Sequence, residues 1–417
     1  MACSSFPVSG NGNNQGYSQS TPWVGNESND VVPLHTLSNA FPDGYRQANG
    51  AGLGGLQDVG FNTNAVFPDR HSPYVEQWMA GFQYSITNND MLDLTYVGNH
   101  GLHMLTGGQQ INQLPDAIHD QLGTHALNDL VPNPFYGHIA SSECNLADPM
   151  IPKGQLFRRF PQYCNVNLND APVGTAWFNS LQASYTHRWK SGLSVLASYT
   201  FSKFLDNVNG AAGWGFVGNA ANRDGNNLAL DKSVDGNDIT HSLVINYIYE
   251  LPVGRGKRFG GSMNHAADAI LGGWQVSGVS MFKSGFPLEA TCNDTSYSFG
   301  ANVGRCNVTG NLKPAHQTIS NWINTSAFSD APAGTYGNSP RFFSNLRAPG
   351  YQNFDLSIQK YWKFTEDMKL QFRGEMFNAF NRVNFYAPDQ NHNDTNFGKI
   401  TNTLAPRDVQ LGVKFYW

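Results

Sequence analysis

The sequence predicts an all-β fold: an antiparallel transmembrane β-barrel, seen in its C-terminal part with about nine strands, long extracellular loops and short periplasmic turns. Three observations lead to this prediction. Short segments alternate apolar and polar residues with a period of two, short and long connections alternate along the chain, and aromatic residues collect at strand ends. The chain contains no apolar run approaching the ~18 residues of a membrane helix, which excludes a helical membrane protein.

The first part of the chain is predicted to be loop. Residues 1–73 are rich in Asn, Gly, Ser and Pro without a sustained period, and they are interpreted as a loop-rich N-terminal segment, an extracellular loop of a truncated barrel. Residues 74–417 are predicted to be the barrel portion. Its first hairpin joins a strand from Tyr74 to Ile86 with one from Met91 to Gly98 through the turn at Asn88-Asn89-Asp90.

A long polar connection and a second hairpin follow. The connection from Asn99 to about Gly174 is too long for an ordinary soluble loop but typical of the outer side of a membrane barrel. The hairpin runs from Leu181 to Thr186, turns at Lys190-Ser191-Gly192, and returns from Leu193 to Phe201. Asp206 to Thr240 is predicted to be another outer loop.

The third hairpin carries an unusual connection. The strands Leu243 to Tyr249 and Trp274 to Lys283 are joined by residues 252–272, which are basic and Gly-rich, and a short helix is predicted at Ala266 to Leu271. Residues 285–349 form the next long loop.

The last three strands show the clearest alternation. In the strand from Tyr351 to Lys360, Phe354, Leu356 and Ile358 fall on one face. The intervening polar residues of these strands suit a polar lumen. The candidates for the lumen face are Asp355, Gln371, Arg373 and Glu375. The terminal strand ends in Phe415 and Trp417, which resemble the assembly signal of outer-membrane barrels.

The order of connections supports a barrel. Short turns at 88, 191, 252–272 and 363–367 fall on the periplasmic side, and every long loop falls on the opposite side. Bacterial single-chain barrels have even strand counts, and an unpaired edge in lipid is costly. Nine strands therefore lead to the expectation that an N-terminal portion precedes this region.

Four of the five cysteines form two local pairs. Cys144 with Cys164, and Cys292 with Cys306, are candidate disulfides of a chain that matures outside the cytosol; free thiols are the alternative. Cys3 is left over. No secretory signal is visible, which is the main observation against export.

No catalytic, cofactor or metal residue is predicted, and an enzyme is the least expected class. The histidines of one loop, His100, His103, His119, His125 and His138, match no defined zinc spacing, so solvated side chains are favoured over a metal site. The net charge of −5 offers no basic footprint for nucleic acid. The carboxylate-rich run Asp231, Asp235, Asn237 and Asp238 lacks the spacing of a calcium loop and is also interpreted as polar loop.

Six longer motifs are specific enough to compare with known families. They are Tyr199-Thr-Phe-Ser-Lys203, Leu251-Pro-Val-Gly-Arg-Gly-Lys-Arg-Phe259, Leu271-Gly-Gly-Trp-Gln275, Ser284-Gly-Phe-Pro287, Pro349-Gly-Tyr-Gln-Asn-Phe-Asp355 and Phe372-Arg-Gly-Glu-Met-Phe-Asn-Ala-Phe-Asn381. Together they resemble the C-terminal barrel of Oar-like TonB-dependent receptors of the acidobacterial type. The resemblance implies location in the cell outer membrane, a full barrel of 22 strands, and contact with lipid, the barrel-assembly machinery and an unknown extracellular ligand. It implies TonB as a partner only if an N-terminal plug exists upstream.

Two functions follow from these observations. The favoured one is a segment of a receptor or transporter that binds or passes a ligand through a polar lumen. The alternative is a secreted or surface-exposed adhesin or carbohydrate-binding protein, with aromatic residues such as Trp177 or Trp322 as stacking platforms.

Overall fold

The computed structural model describes most of the chain. The described residues are 38–39, 54–69, 71–106, 109–139, 142–169, 171–190, 192–207, 222–300, 304–365 and 367–417. Cys3 and most of the predicted N-terminal loop segment lie outside them.

Nine antiparallel strands, each paired with its neighbours in sequence, form one sheet, and the two-residue strand Ser233–Val234 adds to it beside the strand that ends at Asp206. This sequential order confirms the predicted antiparallel architecture. The strands are β1 (Tyr74–Ser85), β2 (Asp90–Thr106), β3 (Ala171–Lys190), β4 (Leu193–Asp206), β5 (His241–Glu250), β6 (Trp274–Lys283), β7 (Tyr351–Lys363), β8 (Lys369–Phe377) and β9 (Asp408–Tyr416). β1 and β9 are the two edges, so the described strands form an open wall.

The connections sort by length between the two ends of the sheet. Residues 86–89, 191–192, 251–273 and 364–368 join strands at the periplasmic end, and long loops join them at the other end. Helix α2 (His265–Leu271) lies in the third short connection, close to the predicted helix. Its N-cap Asn264 accepts a hydrogen bond from the Ala267 amide at 2.8 Å, which satisfies one of the free donors of the first turn.

Two strands are longer than their alternation predicts. β2 has 17 residues and β3 has 20, whereas the sequence predicted only Met91 to Gly98 and the stretch from Leu181 for them. The pairing shifts register between Gly101 and Met104, where His103 has a φ of +55°, and this irregularity interrupts the period of two. A tilted strand needs ~9–11 residues to cross a bilayer, so β2 and β3 continue beyond the membrane on the extracellular side.

The long loops are folded rather than irregular. Helix α1 (Asp116–Asn128) contains a break at Gly123, and short 3-10 helices and strands occur throughout the loops. The 3-10 helices are Gly54–Leu56, Lys153–Phe157, Leu228–Asp231 and Thr325–Ala327. The short strands are Thr63–Val66, Gln109–Gln110, Leu130–Pro132, Met150–Pro152, Val166–Asn169, Ser233–Val234, Thr291–Cys292, Gly304–Arg305, Asn307–Val308 and Phe328–Ser329.

The loops bury two apolar clusters of their own. The larger one includes Leu288, Ile323, Phe328 and Phe343, and the smaller one surrounds Ile151. We call the packed long loops the cap. None of the helices in the described part of the chain has the length and apolar character that crossing a membrane requires.

Candidate ligand-binding lumen

The register of β6 to β9 brings all four predicted lumen residues to one face. Asp355 stands opposite Val279, and Glu375 stands opposite Ser357. Arg373 stands opposite Gln359, and Gln371 opposite Tyr361. Paired residues of antiparallel strands point to the same side, so Asp355, Gln371, Arg373 and Glu375 share the polar face with serine, glutamine and tyrosine side chains.

A ladder of amides and phenols crosses this face near the periplasmic end. Gln371 Nε2 donates to Gln359 Oε1 at 3.0 Å and to Tyr361 Oη at 2.8 Å. Tyr416 Oη donates to Gln371 Oε1 at 3.0 Å, and Gln359 Nε2 donates to Gln275 Oε1. The four last strands are therefore cross-linked by side chains as well as by backbone hydrogen bonds.

The two carboxylates have different surroundings. Asp355 Oδ1 accepts hydrogen bonds from Asn353 Nδ2 and from the Asn378 amide, both at 2.9 Å. Glu375 forms an ion pair with Arg373 at 3.0 Å on the same strand. The Arg373 side chain is 48% exposed, so solvent screens this pair and it contributes little stability.

A cavity of about 430 Å³ opens on this face. Its lining includes Asn246, Ser277, Asp355, Ser357 and Glu375 from β5 to β8. Among the described residues that line it, the only ionisable side chains besides Tyr247 are the two carboxylates. Apolar side chains such as Leu196, Ile248 and Phe377 line it as well, so the cavity offers oxygen atoms that accept hydrogen bonds beside an apolar surface.

The opposite face of the same strands is apolar and exposed. Leu356 stands opposite Gly278 and Met376, and Leu411 stands opposite Gly374. Leu411 is 74% exposed. A contiguous apolar face of this kind, alternating residue by residue with a polar face, is the arrangement of a strand between lipid and a lumen.

Three arginines of the cap pair with carboxylates; Arg305 and Arg341 are buried, and Arg347 is partly buried. Arg305 pairs with Asp231 at 3.3 Å, Arg347 pairs with Asp238 at 2.5 Å, and Arg341 pairs with Asp206 at the extracellular end of β4. Burial lowers the pKa of Arg341 to about 10 and raises that of Asp231. Asp231 and Asp238, weighed from the sequence as calcium ligands, therefore bind arginine side chains. Sequence reasoning did not single out these arginines.

The histidines of the first long connection do not share one site. His100 stacks on Trp177 with ring centroids 3.5 Å apart. His119 is buried, and its Nε2 lies 2.7 Å from the carbonyl oxygen of Ser296. The His125 side chain lies outside the described part. The interpretation of solvated histidines is wrong for His119, because α1 carries it into the cap.

The four paired cysteines lie in the cap. The structure joins Cys144 to Cys164 and Cys292 to Cys306. Asp330 and His392 lie close to Cys292, with candidate ligand atoms within 4.8 Å of one another. Because the Cys292 sulfur belongs to a disulfide, it offers no thiolate to a metal.

The aromatic residues considered as carbohydrate platforms already have partners. The Trp322 indole donates to the Arg347 carbonyl oxygen at 2.8 Å and packs against the larger apolar cluster. Trp177 lies against His100 and, edge to face, against Trp78. At the other end of the sheet, Trp417 follows β9, is 88% exposed and stacks on Phe415.

A sequential antiparallel sheet with one exposed apolar face, one polar face, short turns at one end and a folded cap at the other defines the class of outer-membrane β-barrels. The chain belongs to the outer membrane beta barrel domain family, whose model matches residues 4–410. It is a protein of the cell outer membrane.

Comparison with solved structures found distant matches. The outer membrane transporter YddB from Escherichia coli is 9% identical, with a TM-score of 0.43, over 89% of this chain and 37% of that one. BauA, the ferric preacinetobactin receptor from Acinetobacter baumannii, is 10% identical, with a TM-score of 0.35, over 82% and 29%. The FrpB iron transporter from Neisseria meningitidis is 10% identical, with a TM-score of 0.36, over 84% and 32%. This chain thus spans little more than a third of the length of YddB and about a third or less of the other two. A search of curated proteins found no match.

Proposed function

We propose that this chain forms part of a receptor or transporter of the Oar-like TonB-dependent type, in which the polar face of β5 to β8 contacts a solute. Residues 74–417 form the wall and its loops, and residues 1–73 are an extracellular segment. The cavity lined by Asp355 and Glu375 supports this proposal, since two carboxylates and several neutral polar groups lie together on the face opposite the apolar one.

The lining indicates the chemistry of the solute. Asp355 accepts hydrogen bonds from Asn353 and from the backbone amide of Asn378, and of the two carboxylates only Glu375 has a cationic neighbour among the described residues. The solute is therefore a polar molecule that carries positive charge or several hydrogen-bond donors. The role is non-enzymatic.

The partners follow from the same proposal. Lipid contacts the apolar face, and the barrel-assembly machinery binds the terminal strand with Phe415 and Trp417. An extracellular ligand meets the cap, and TonB acts on this protein if a plug accompanies the wall.

A thiol-labelling experiment in outer membranes tests the lumen. Ser357→Cys is expected to react with water-soluble methanethiosulfonates, and a cationic reagent is expected to react about tenfold faster than an anionic one, because the nearby carboxylates concentrate cations. Asp355→Asn with Glu375→Gln in the same background should remove most of that preference. Leu356→Cys is the matched control on the apolar face and should stay unlabelled. Equal labelling at positions 356 and 357 would contradict the proposed lumen.

A further inference from the structure

The connection between β5 and β6 forms a unit on the outside of the wall, at its periplasmic end. We call residues 251–273, with helix α2, the interface unit. Three side chains of the sheet contact this unit, namely Trp274, Lys360 and Trp362. Trp274 stands opposite Lys360 in the register. Lys360 and Trp362 have the same parity in β7 as Leu356 and Ile358, so all of them belong to the apolar, lipid-facing side.

Side chains of the sheet hold the last turn of α2. Trp362 Nε1 donates to the Ala269 carbonyl oxygen at 2.7 Å, and Trp274 Nε1 donates to that of Ile270 at 2.9 Å. Lys360 Nζ donates to the Ile270 carbonyl at 3.1 Å and also to that of Gly272. These carbonyls have no partner within the helix, and a cation is favoured at this helix end. Helix α2 is thereby fixed against the outer surface of the wall.

Lys360 shows that α2 takes the place of lipid here. Lys360 is only 1% exposed although it occupies a lipid-facing position. Its ammonium lies 5.3 Å from the centre of the Trp274 ring and 5.4 Å from that of Trp362. A buried cation needs partners of this kind, and the helix carbonyls and the two rings provide them.

The basic loop before α2 is tied to the helix. The Arg255 amide donates to Asp268 Oδ1 at 2.7 Å. Gly254 has a φ of +137°, and a Cβ there would lie 2.9 Å from the same carboxylate oxygen. The Asp268 side chain therefore holds the loop in place by binding the backbone of the loop. Lys257 pairs with Glu250 at 2.9 Å, and the Arg258 guanidinium lies over the Phe259 ring at 5.5 Å.

The outer surface of the interface unit combines cations with exposed apolar side chains. Phe259, Ile270 and Leu271 are 56%, 69% and 54% exposed. Arg255 and Arg258 are exposed beside them, and among the described residues no carboxylate lies within 4 Å of either guanidinium. Apolar side chains flanked by cations are typical of segments that lie in the membrane interface.

We propose that the interface unit inserts into the periplasmic leaflet and binds the phosphate groups of anionic phospholipids through Arg255, Arg258 and Lys257. The whole chain has a net charge of −5, yet this unit carries three cations and one carboxylate, Asp268, which accepts a hydrogen bond from the loop backbone. Glu250 at the end of β5 pairs with Lys257, so the two guanidinium groups are the cations without a carboxylate partner among the described residues. Guanidinium groups match phosphate geometry in two-point hydrogen bonding. The unit is continuous with the lipid-facing side of β6 and β7, so lipid is the occupant that both its charge and its position fit.

Lipid retention by the full chain tests this proposal. The chain is purified from outer membranes into mixed micelles with equal amounts of phosphatidylglycerol and phosphatidylethanolamine, and retained lipids are quantified by mass spectrometry. We expect phosphatidylglycerol to be enriched, and we expect the enrichment to fall about tenfold in the triple variant Arg255→Gln/Lys257→Gln/Arg258→Gln, since glutamine cannot pair with the lipid phosphate as a cation does. The matched control Arg159→Gln/Lys313→Gln/Lys399→Gln removes three exposed cations of the cap and should retain it.

Three results would overturn the proposal. The first is no enrichment in the original chain, and the second is unchanged enrichment in the triple variant. The third is loss of enrichment on adding millimolar inorganic phosphate at constant ionic strength, which would indicate a site for free anions. A second variant, Ile270→Ser/Leu271→Ser, should lower the retention of both lipids; unchanged retention would rule out insertion of the apolar side chains.

Discussion

Leu356 and Ser357 are neighbours in β7 whose side chains meet different surroundings. Leu356 lies on the apolar face opposite Gly278 and Met376, whereas Ser357 lies beside Ser277 and Glu375 on the polar face. The period of two makes this difference readable from sequence. The buried ion pairs of the cap are not readable in this way, because Asp206 and Arg341 are 135 residues apart and no local pattern marks them as partners.

Leu356→Arg is expected to destabilise the vesicle-embedded chain by ~2–4 kcal/mol, since a cation at the lipid face must leave water. Ser357→Arg, the matched control, should be tolerated because the new guanidinium faces water and Glu375. Urea titrations of folding into lipid vesicles measure both. Equal losses of stability would mean that the two faces are not lipid and lumen.

Glu289 is a carboxyl group largely removed from solvent inside the cap. It lies between Leu288 and Ala290, both of which belong to the larger apolar cluster. Burial raises its pKa, and the nearby Arg305 only partly offsets that effect. A carboxyl group with a raised pKa contributes most to stability when it is protonated, below the ordinary pKa of ~4.3, and this contribution is lost as the pH rises through the raised value.

Glu289→Gln should therefore leave stability almost unchanged near pH 4 and increase it at pH 7, because the variant never carries the desolvated charge. Urea titrations between these pH values follow the difference. Asp394→Asn removes an exposed carboxylate of the same loops and serves as the control. If the Glu289→Gln variant were less stable than the original chain at pH 7, the attraction between Arg305 and the carboxylate would outweigh the cost of burying its charge.

At the scale of elements, strands were predictable and the cap was not. The nine strands follow from alternation, and helix α2 follows from a short apolar run after Asn264. The break at Gly123 and the weakly apolar sequence hid α1, whose position depends on contacts such as that of His119 with Ser296, 177 residues away. The candidate lumen residues followed from the same alternation, but their hydrogen bonds required the register.

Within the cap, the Cys292–Cys306 pair closes a loop next to the larger apolar cluster. Replacing both cysteines by alanine is expected to destabilise the cap by about 3 kcal/mol. This is the stabilisation expected when a bridge closes a loop of ~15 residues and lowers the conformational entropy of the unfolded chain. Protease digestion of the extracellular side measures this, and peptide mapping without reductant checks the pairing. Cys3→Ala is the control. If the double variant resisted protease as well as the original chain, the bridge would have no structural role in the cap.

The molecule as a whole has two parts of different character, a wall and a cap. Adjacent strands hold the wall, whereas the cap joins distant loops; Gln113, for example, donates to Asp224 at 2.7 Å and to Tyr336 at 2.8 Å. Membership of the outer membrane barrel family accounts for the wall, and the cap is the part in which chains of one family can differ without disturbing the strands.

An antibody against Lys363 to Asp367 should detect this protein in the outer-membrane fraction as a band whose mobility changes on boiling. An intact barrel wall resists detergent until heated, because its backbone hydrogen bonds are satisfied within the sheet. Comparison of heated and unheated samples on an immunoblot is the measurement. A soluble band at 45.8 kDa, unaffected by heat, would contradict a membrane-embedded wall.

The sequential order of the strands also determines the order in which parts of the protein fold. Each hairpin of the wall can close as soon as its second strand is available, because its partners are close in sequence. The Gln113 to Tyr336 contact spans 223 residues and must wait until the loop after β6 has crossed the membrane. The cap loops therefore pack together after the wall has formed. A pulse-chase experiment should show heat resistance of the wall before the exposed loops become resistant to protease.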